Sequence, residues 1–228
     1  MLAPVFVVSL YPSPPGISLF WDWANAMGYL VVANCLFLFV YKGRVRTFPA
    51  YSGRFFANLH RDLGYITVVL LAAHIGLLLA VEPLLLEHLK PTAPLHMVSG
   101  SLATILMLVL FLSSIPPVRR RLWRDYHVFR HVHAIVAVTV LGLLLYHILV
   151  SGFYLNSQWK RGLLIVATAA VMAHYARGKV FSATIKAAPV RESRKYSHKF
   201  SYGCVVVALL GSFSLAFLSN IEWRNLSD

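Results

Sequence analysis

"LHRDLGYITVVLLAAHIG", residues 59–76, is apolar enough to cross a lipid bilayer, yet it carries a histidine near each end, His60 and His74. An α-helix rises 1.5 Å per residue and the hydrocarbon core is about 30 Å thick, so roughly 18–20 largely apolar residues make a span. Continued to Val81, this stretch meets that measure. Five further stretches read the same way, at about 22–41, 95–114, 126–150, 161–177 and 203–219. The sequence therefore predicts an all-α membrane protein, a six-span helical bundle. Composition agrees: the 228 residues are 58% hydrophobic and 13% charged, which soluble domains rarely show. The start, MLAPVFVVSLYPSPPG, has no basic flank, and Pro12, Pro14 and Pro15 break its short apolar run. It reads as an outer-side segment, 1–21, and not as a signal peptide or a span.

The formal net charge is +13. In a soluble chain that would raise nucleic acid as a partner; here the distribution assigns the charge to membrane topology, and no nucleic acid is expected. Three connections on one side, KGRVRTFPAYSGR, PPVRRRLWR and RGKVFSATIKAAPVRESRKYSHK, hold with their flanks 17 of the 21 Lys and Arg, the others being Lys90, Lys160, Arg161 and Arg224. Basic loops stay in the cytoplasm. This predicts a multi-pass protein of the cell (inner or plasma) membrane with both termini outside. Trp21, Trp23, Trp123, Trp159 and Trp223 fall near the ends of spans, where interfacial tryptophans belong. Cys35 and Cys204 lie in or beside spans, and no CxxCH for covalent haem is present.

Residues 132–150, VHAIVAVTVLGLLLYHILV, repeat the opening pattern with His133 and His147, again fourteen residues apart. Fourteen residues advance a helix by about 21 Å and turn it to within about 40° of four full turns, so both histidines of each span share a face. The second and fourth spans run in the same direction. Two such helices side by side bring their imidazoles together as pairs at two depths. Each pair can give both axial ligands to one haem. Two b-type haems stacked between the second and fourth spans, with His60, His74, His133 and His147 on the irons, are therefore expected. His127 and His131 compete for the role of His133. His131 and His147 are sixteen residues apart and face opposite sides, as do His127 and His147, so geometry selects His133. His96 and His174 have no partner at the right separation, and His88 lies in an outer loop beyond Glu82 and Pro83. Gly64, Gly76, Gly100 and Gly142 are candidates for close approach of a helix or a porphyrin. Arg54, Arg61 and Arg130 cluster at the depth of His60 and His133. Arg61 and Arg130 are candidate partners for haem propionates.

LHRDLGYITVVLLAAH resembles the HRxLG…H helix of the ferric reductase transmembrane domain family, and YHVFRHVHAIVAVTVLGLLLYH resembles that family's second haem helix. The family includes ferric-chelate reductases and NADPH oxidases. The resemblance covers about 22–177, the di-haem core, and leaves 178–228 as a basic cytoplasmic loop plus a sixth transmembrane helix. It implies an inner haem on His60 and His133 and an outer haem on His74 and His147. The sequence departs from the oxidases in lacking the extra first helix and, after Ala176, a flavin and nicotinamide domain: there is no GxGxxG. The expected function is a membrane di-haem b-type cytochrome, an electron-transfer subunit without its own NAD(P)H domain. It would take electrons from a separate flavoprotein reductase or other donor and pass them to an outer-side acceptor or redox partner protein. The basic segment 177–199 suits either an acidic reductase or anionic lipid. A quinol-linked cytochrome b subunit is the alternative, with His96, Ser99 and Ser101 as weak quinone-site candidates. A transition-metal transporter is a third reading, which would need ligands converging on one point.

Overall fold

The computed structural model describes residues 18–41, 53–90, 92–180 and 198–227, apart from the side chains of 53–54, 178–180, 200 and 219–227. All regular structure among them is helical: α1 Leu19–Val40, α2 Gly53–Val81, a 3-10 helix Pro83–Leu89, α3 Leu95–Ser114, α4 Pro116–Leu122, α5 Tyr126–Ser151, α6 Gln158–Val180 and α7 His198–Ser227. The N-terminal segment, Arg54 as a side chain and most of the basic segment 177–199 lie outside the described residues.

The ends of the helices follow local chemistry. Ser18 caps α1 by accepting from the Trp21 N–H at 3.2 Å, and Asp125 caps α5 by accepting from the His127 N–H at 2.7 Å, as short polar side chains do at N-termini. Pro83 stops α2 after Val81 and opens the 3-10 turn. Pro116 and Pro117 begin the short α4, which holds three of the arginines of the second basic connection. Helix α5 ends on Gly152 in the left-handed region, φ 68°, with its N–H bonded to the Ile148 carbonyl. A Gly152→Ala substitution puts a Cβ into that conformation and is expected to cost about 1–2 kcal/mol, read as a lower apparent melting temperature in detergent.

Among the described residues, five helices are long and apolar enough to span: Leu19–Val40, Phe55–Val81, Leu95–Ser114, Tyr126–Ser151 and Ser201–Leu218. The expected span 161–177 falls in α6, which is not among the five. Charged Lys160, Arg161, Arg177 and Lys179, together with His174, leave a shorter apolar run in that helix.

Helix α1 is the axle of the bundle. It packs against α2, α7, α6 and α5, and 56% of its most apolar window is buried, against 17–22% for the other four. Those four turn most of their apolar surface outward, Val69, Ile105, Val109, Ile135 and Leu210 among it, as lipid-facing helices do. A buried polar staple joins α1 to α2: the Asn34 amide donates to the Leu63 carbonyl at 2.8 Å and to the Thr67 hydroxyl at 2.6 Å. Helix α7 is tied in at both depths. Trp23 Nε1 donates to Ser212 Oγ at 3.2 Å, and His198 Nδ1 meets buried Asp62 at 2.7 Å. Beside Trp23, at the start of α1, the Tyr154 hydroxyl donates to Asp22. Burial first and the Asp22 carboxylate second push the Tyr154 pKa up, so it stays a donor at ordinary pH.

Candidate functional site

Helix α2 lies along α1, and α5 lies along α3, while the backbones of α2 and α5 stay apart. Between them opens a cavity of about 710 Å³, well within the size range of cofactor sites. Its walls are apolar in the membrane, with Cys35, Val68, Met107, Phe111, Ala137 and Val140 among them. Its mouth is basic, with Arg61, Arg119 and Arg130. Arg119 is stacked over Tyr126 and Phe129, its guanidinium 5.5 Å and 5.7 Å from the ring centres, so this cation is held in place by cation–π contact.

His60 and His133 face each other across the cavity with ring centres 6.3 Å apart. A metal–imidazole nitrogen bond is about 2.0–2.1 Å long, and the ring centre lies about 1.1 Å beyond the nitrogen, so two imidazoles on opposite sides of one ion have centres about 6 Å apart. The tautomers are fixed from behind. His60 Nδ1 donates to the Tyr41 carbonyl at 3.0 Å. His133 Nδ1 lies 3.3 Å from Ser114 Oγ, whose own proton is committed to the Leu110 carbonyl at 2.6 Å. The serine therefore accepts and His133 Nδ1 donates. In both rings the lone pair then lies on Nε2, the tautomer that metal-ligating histidines bonded through Nδ1 adopt.

Four turns further along α2 and α5, His74 and His147 are likewise hydrogen-bonded through Nδ1. His74 Nδ1 donates to the Ala24 carbonyl at 2.7 Å, and His147 Nδ1 donates to the His96 carbonyl at 2.8 Å. A carbonyl can only accept, so these two imidazoles also carry their proton on Nδ1 and keep Nε2 as a ligand atom. All four are half-buried within the bundle.

The other histidines are placed differently. His127 and His131 are exposed at the cavity mouth, and His131 Nδ1 is spent on the His127 carbonyl within its own helix. His174 is exposed on α6, and His88 sits on the 3-10 helix. The His96 ring lies 6.4 Å from that of His147. Ser99 is buried, with its hydroxyl donating to the Leu143 carbonyl at 2.8 Å. Of the four glycines singled out in the sequence, Gly64, Gly76 and Gly142 have open space where a Cβ would stand, while Gly100 is in contact with His147. Sequence reasoning missed Gly28, Arg119, Ser114 and the three carbonyls. Gly28 and Arg119 had a signal, a glycine inside an apolar span and a cation seven and ten residues before the aromatics Tyr126 and Phe129. The carbonyls had none, because a backbone group has no letter. Among the described residues, no three His, Cys, Asp or Glu side chains converge on a metal-sized point. The His60 and His133 imidazoles face each other across one cavity, a donor pair that would suit a group held from two sides.

A bundle of apolar helices with histidines inside it defines a class, the multi-pass membrane proteins. Residues 27–144 match the family of ferric reductase like transmembrane components, more than half of the chain, and the chain belongs to that family. Domains of this family generally bind haem, and membership gives the chain an electron-transfer role within a membrane. The match ends three residues before His147. No curated protein and no solved structure matches the chain.

Proposed function

We propose that the chain is a di-haem b-type cytochrome that carries electrons across the cell membrane as a subunit. The observation that carries this reading is the set of four imidazoles within the bundle, each hydrogen-bonded through Nδ1, which puts the ring's lone pair on Nε2. His60 and His133 would hold the inner haem, His74 and His147 the outer one. Bound haem supplies reversible one-electron chemistry at iron. The residues do the rest. The carbonyl and hydroxyl partners orient the rings and raise their basicity. Arg61 and Arg130, named from the sequence, and Arg119 beside them offer cations for propionates at the cavity mouth. The apolar walls exclude water and lower the local dielectric.

In this reading α6 is the sixth span, the three basic connections lie in the cytoplasm and both termini lie outside. Electrons enter from a separate flavoprotein reductase or another donor at the basic face, and leave at the outer end to an acceptor or partner protein. Charge asymmetry along the sequence supports that orientation. The test is a reduced-minus-oxidised spectrum of the purified chain with haem quantified as pyridine hemochrome. Two low-spin b haems per chain are expected. A colourless protein, made with haem available, would overturn the reading.

A further inference from the structure

The two outer-pair histidines are seated in the same way on two different helices. Each donates to the carbonyl of the residue four positions before a glycine: Ala24 before Gly28 on α1, and His96 before Gly100 on α3. A Cβ built on Gly28 would stand 2.9 Å from His74 Cε1, and one built on Gly100 would stand 2.8 Å from His147 Nδ1. Carbon atoms do not approach so closely. In a helix the carbonyl of residue i already bonds the N–H of residue i+4, so a glycine at i+4 clears the side of that carbonyl and lets an imidazole reach its second lone pair.

The match extends to the inner pair. The acceptors of His60 and His133 lie 19 residues before their histidines in both cases, and those of His74 and His147 lie 50 and 51 residues before. Every member of the second set follows its counterpart by 72 or 73 residues (24 to 96, 28 to 100, 41 to 114, 60 to 133, 74 to 147). Buried positions keep the offset: Met27 and Ser99, Val31 and Ala103, Cys35 and Met107, Leu71 and Leu144. The hairpin α1–α2 and the unit α3–α5 are thus two copies of one arrangement, running in the same directions, as parallel repeats about an axis along the membrane normal do.

We propose that Gly28 and Gly100 are paired positioning residues, one per half of an internal repeat, which set the reach of the outer-pair imidazoles toward the group they share. The seat is read from the helices alone; its bearing on an outer haem rests on the function proposed above. A methyl added at either glycine pushes the ring and not the backbone, because the nearest atoms are those of the imidazole.

A double-mutant cycle tests the seat without reference to haem. Gly28→Ala is made alone and in a His74→Ala background, Gly100→Ala alone and in His147→Ala, and Gly162→Ala, at a glycine with open space, serves as the reference. Apparent melting temperatures are read in detergent on haem-free and haem-loaded protein. Each glycine substitution is expected to lower the melting temperature by several degrees while its histidine is present and to be close to Gly162→Ala when the histidine is gone. A single variant too unstable to purify supports the seat if its double variant is recovered, and counts against it if the double is lost as well. Equal losses in both backgrounds would overturn the proposal. On loaded protein, Gly28→Ala and Gly100→Ala are each expected to shift the midpoint potential and low-spin EPR signature of one haem and spare the other. Two unchanged haems would overturn the positioning role even if the cycle shows coupling. If the wild-type chain takes up no haem, the proposed function fails while the cycle still decides the seat.

Discussion

Replacing His133 by alanine is expected to halve the haem bound per chain, from two to one, and to leave the remaining haem low-spin. Depth separates the two histidine pairs. His133 faces His60 alone across the inner cavity, with ring centres 6.3 Å apart, and lies four helical turns from His147 on the same helix. The variant removes one of two axial ligands at one depth and touches nothing at the other. Losing an outer-shell partner of a metal ligand typically costs 10–100-fold in affinity, and losing the ligand itself costs more. A milder variant calibrates the effect: Ser114→Ala removes only the acceptor behind His133, and is expected to weaken retention of the inner haem by about 10-fold. Titration with hemin and counting by pyridine hemochrome reads both. If His133→Ala kept two low-spin haems, the exposed His131 or His127 would have to be the ligand instead.

Filling the cavity should have an effect of the same size by a different physical route. Gly64 lines the cavity from α2, and nothing stands within 4 Å of where its Cβ would be. Gly64→Phe adds a benzyl group to that space without displacing a neighbouring helix. The bundle is expected to fold, since burying a large apolar side chain contributes about 1.5–3 kcal/mol, and the purified protein is expected to carry one haem, at the outer site. The same substitution at Gly162, remote from the cavity, is expected to leave two. The pair separates loss of room from loss of fold. Two haems in well-folded Gly64→Phe protein would mean that the cavity between α2 and α5 is not where the inner group sits.

What could be read in the sequence follows from what the letters encode. Span length and apolarity are sums over side chains, so the helices at 19–40, 53–81, 95–114, 126–151 and 198–227 were legible to within a few residues, apart from the first turn of α2 and the two ends of α7. Helical phase is equally legible, which is why fourteen-residue spacing singled out His60, His74, His133 and His147. Burial within a bundle is not: Leu30 in the axle and Val69 facing outward are both simply apolar, and nothing in the letters of α1 announces that it is central. Helix α6 is the converse case. Its apolar run 162–173 drew a span, while Lys160, Arg161, His174 and Arg177 around it keep it off the list of helices apolar enough to cross. The histidine seats were invisible for another reason. Their acceptors are mostly carbonyls, and only the glycines beside them leave a trace, one of which, Gly100, stood out for close approach of a helix or a porphyrin and not for the imidazole it accommodates.

The staple between Asn34 and helix α2 bears on how the chain enters the membrane. A translating ribosome delivers α1 first, and at that moment its amide faces hydrocarbon with neither Leu63 nor Thr67 yet made. An unmet amide in lipid costs several kcal/mol, and the helix that carries it is also the one with the most surface to be covered later by α6 and α7. Partitioning of α1 into lipid as a solitary segment is therefore disfavoured, and the α1–α2 hairpin becomes the smallest unit that can leave the translocon with the Asn34 side-chain N–H groups bonded. The first half of the repeat would then serve as the template on which α3 and α5 are laid, and the last helix as the seal that closes over the axle.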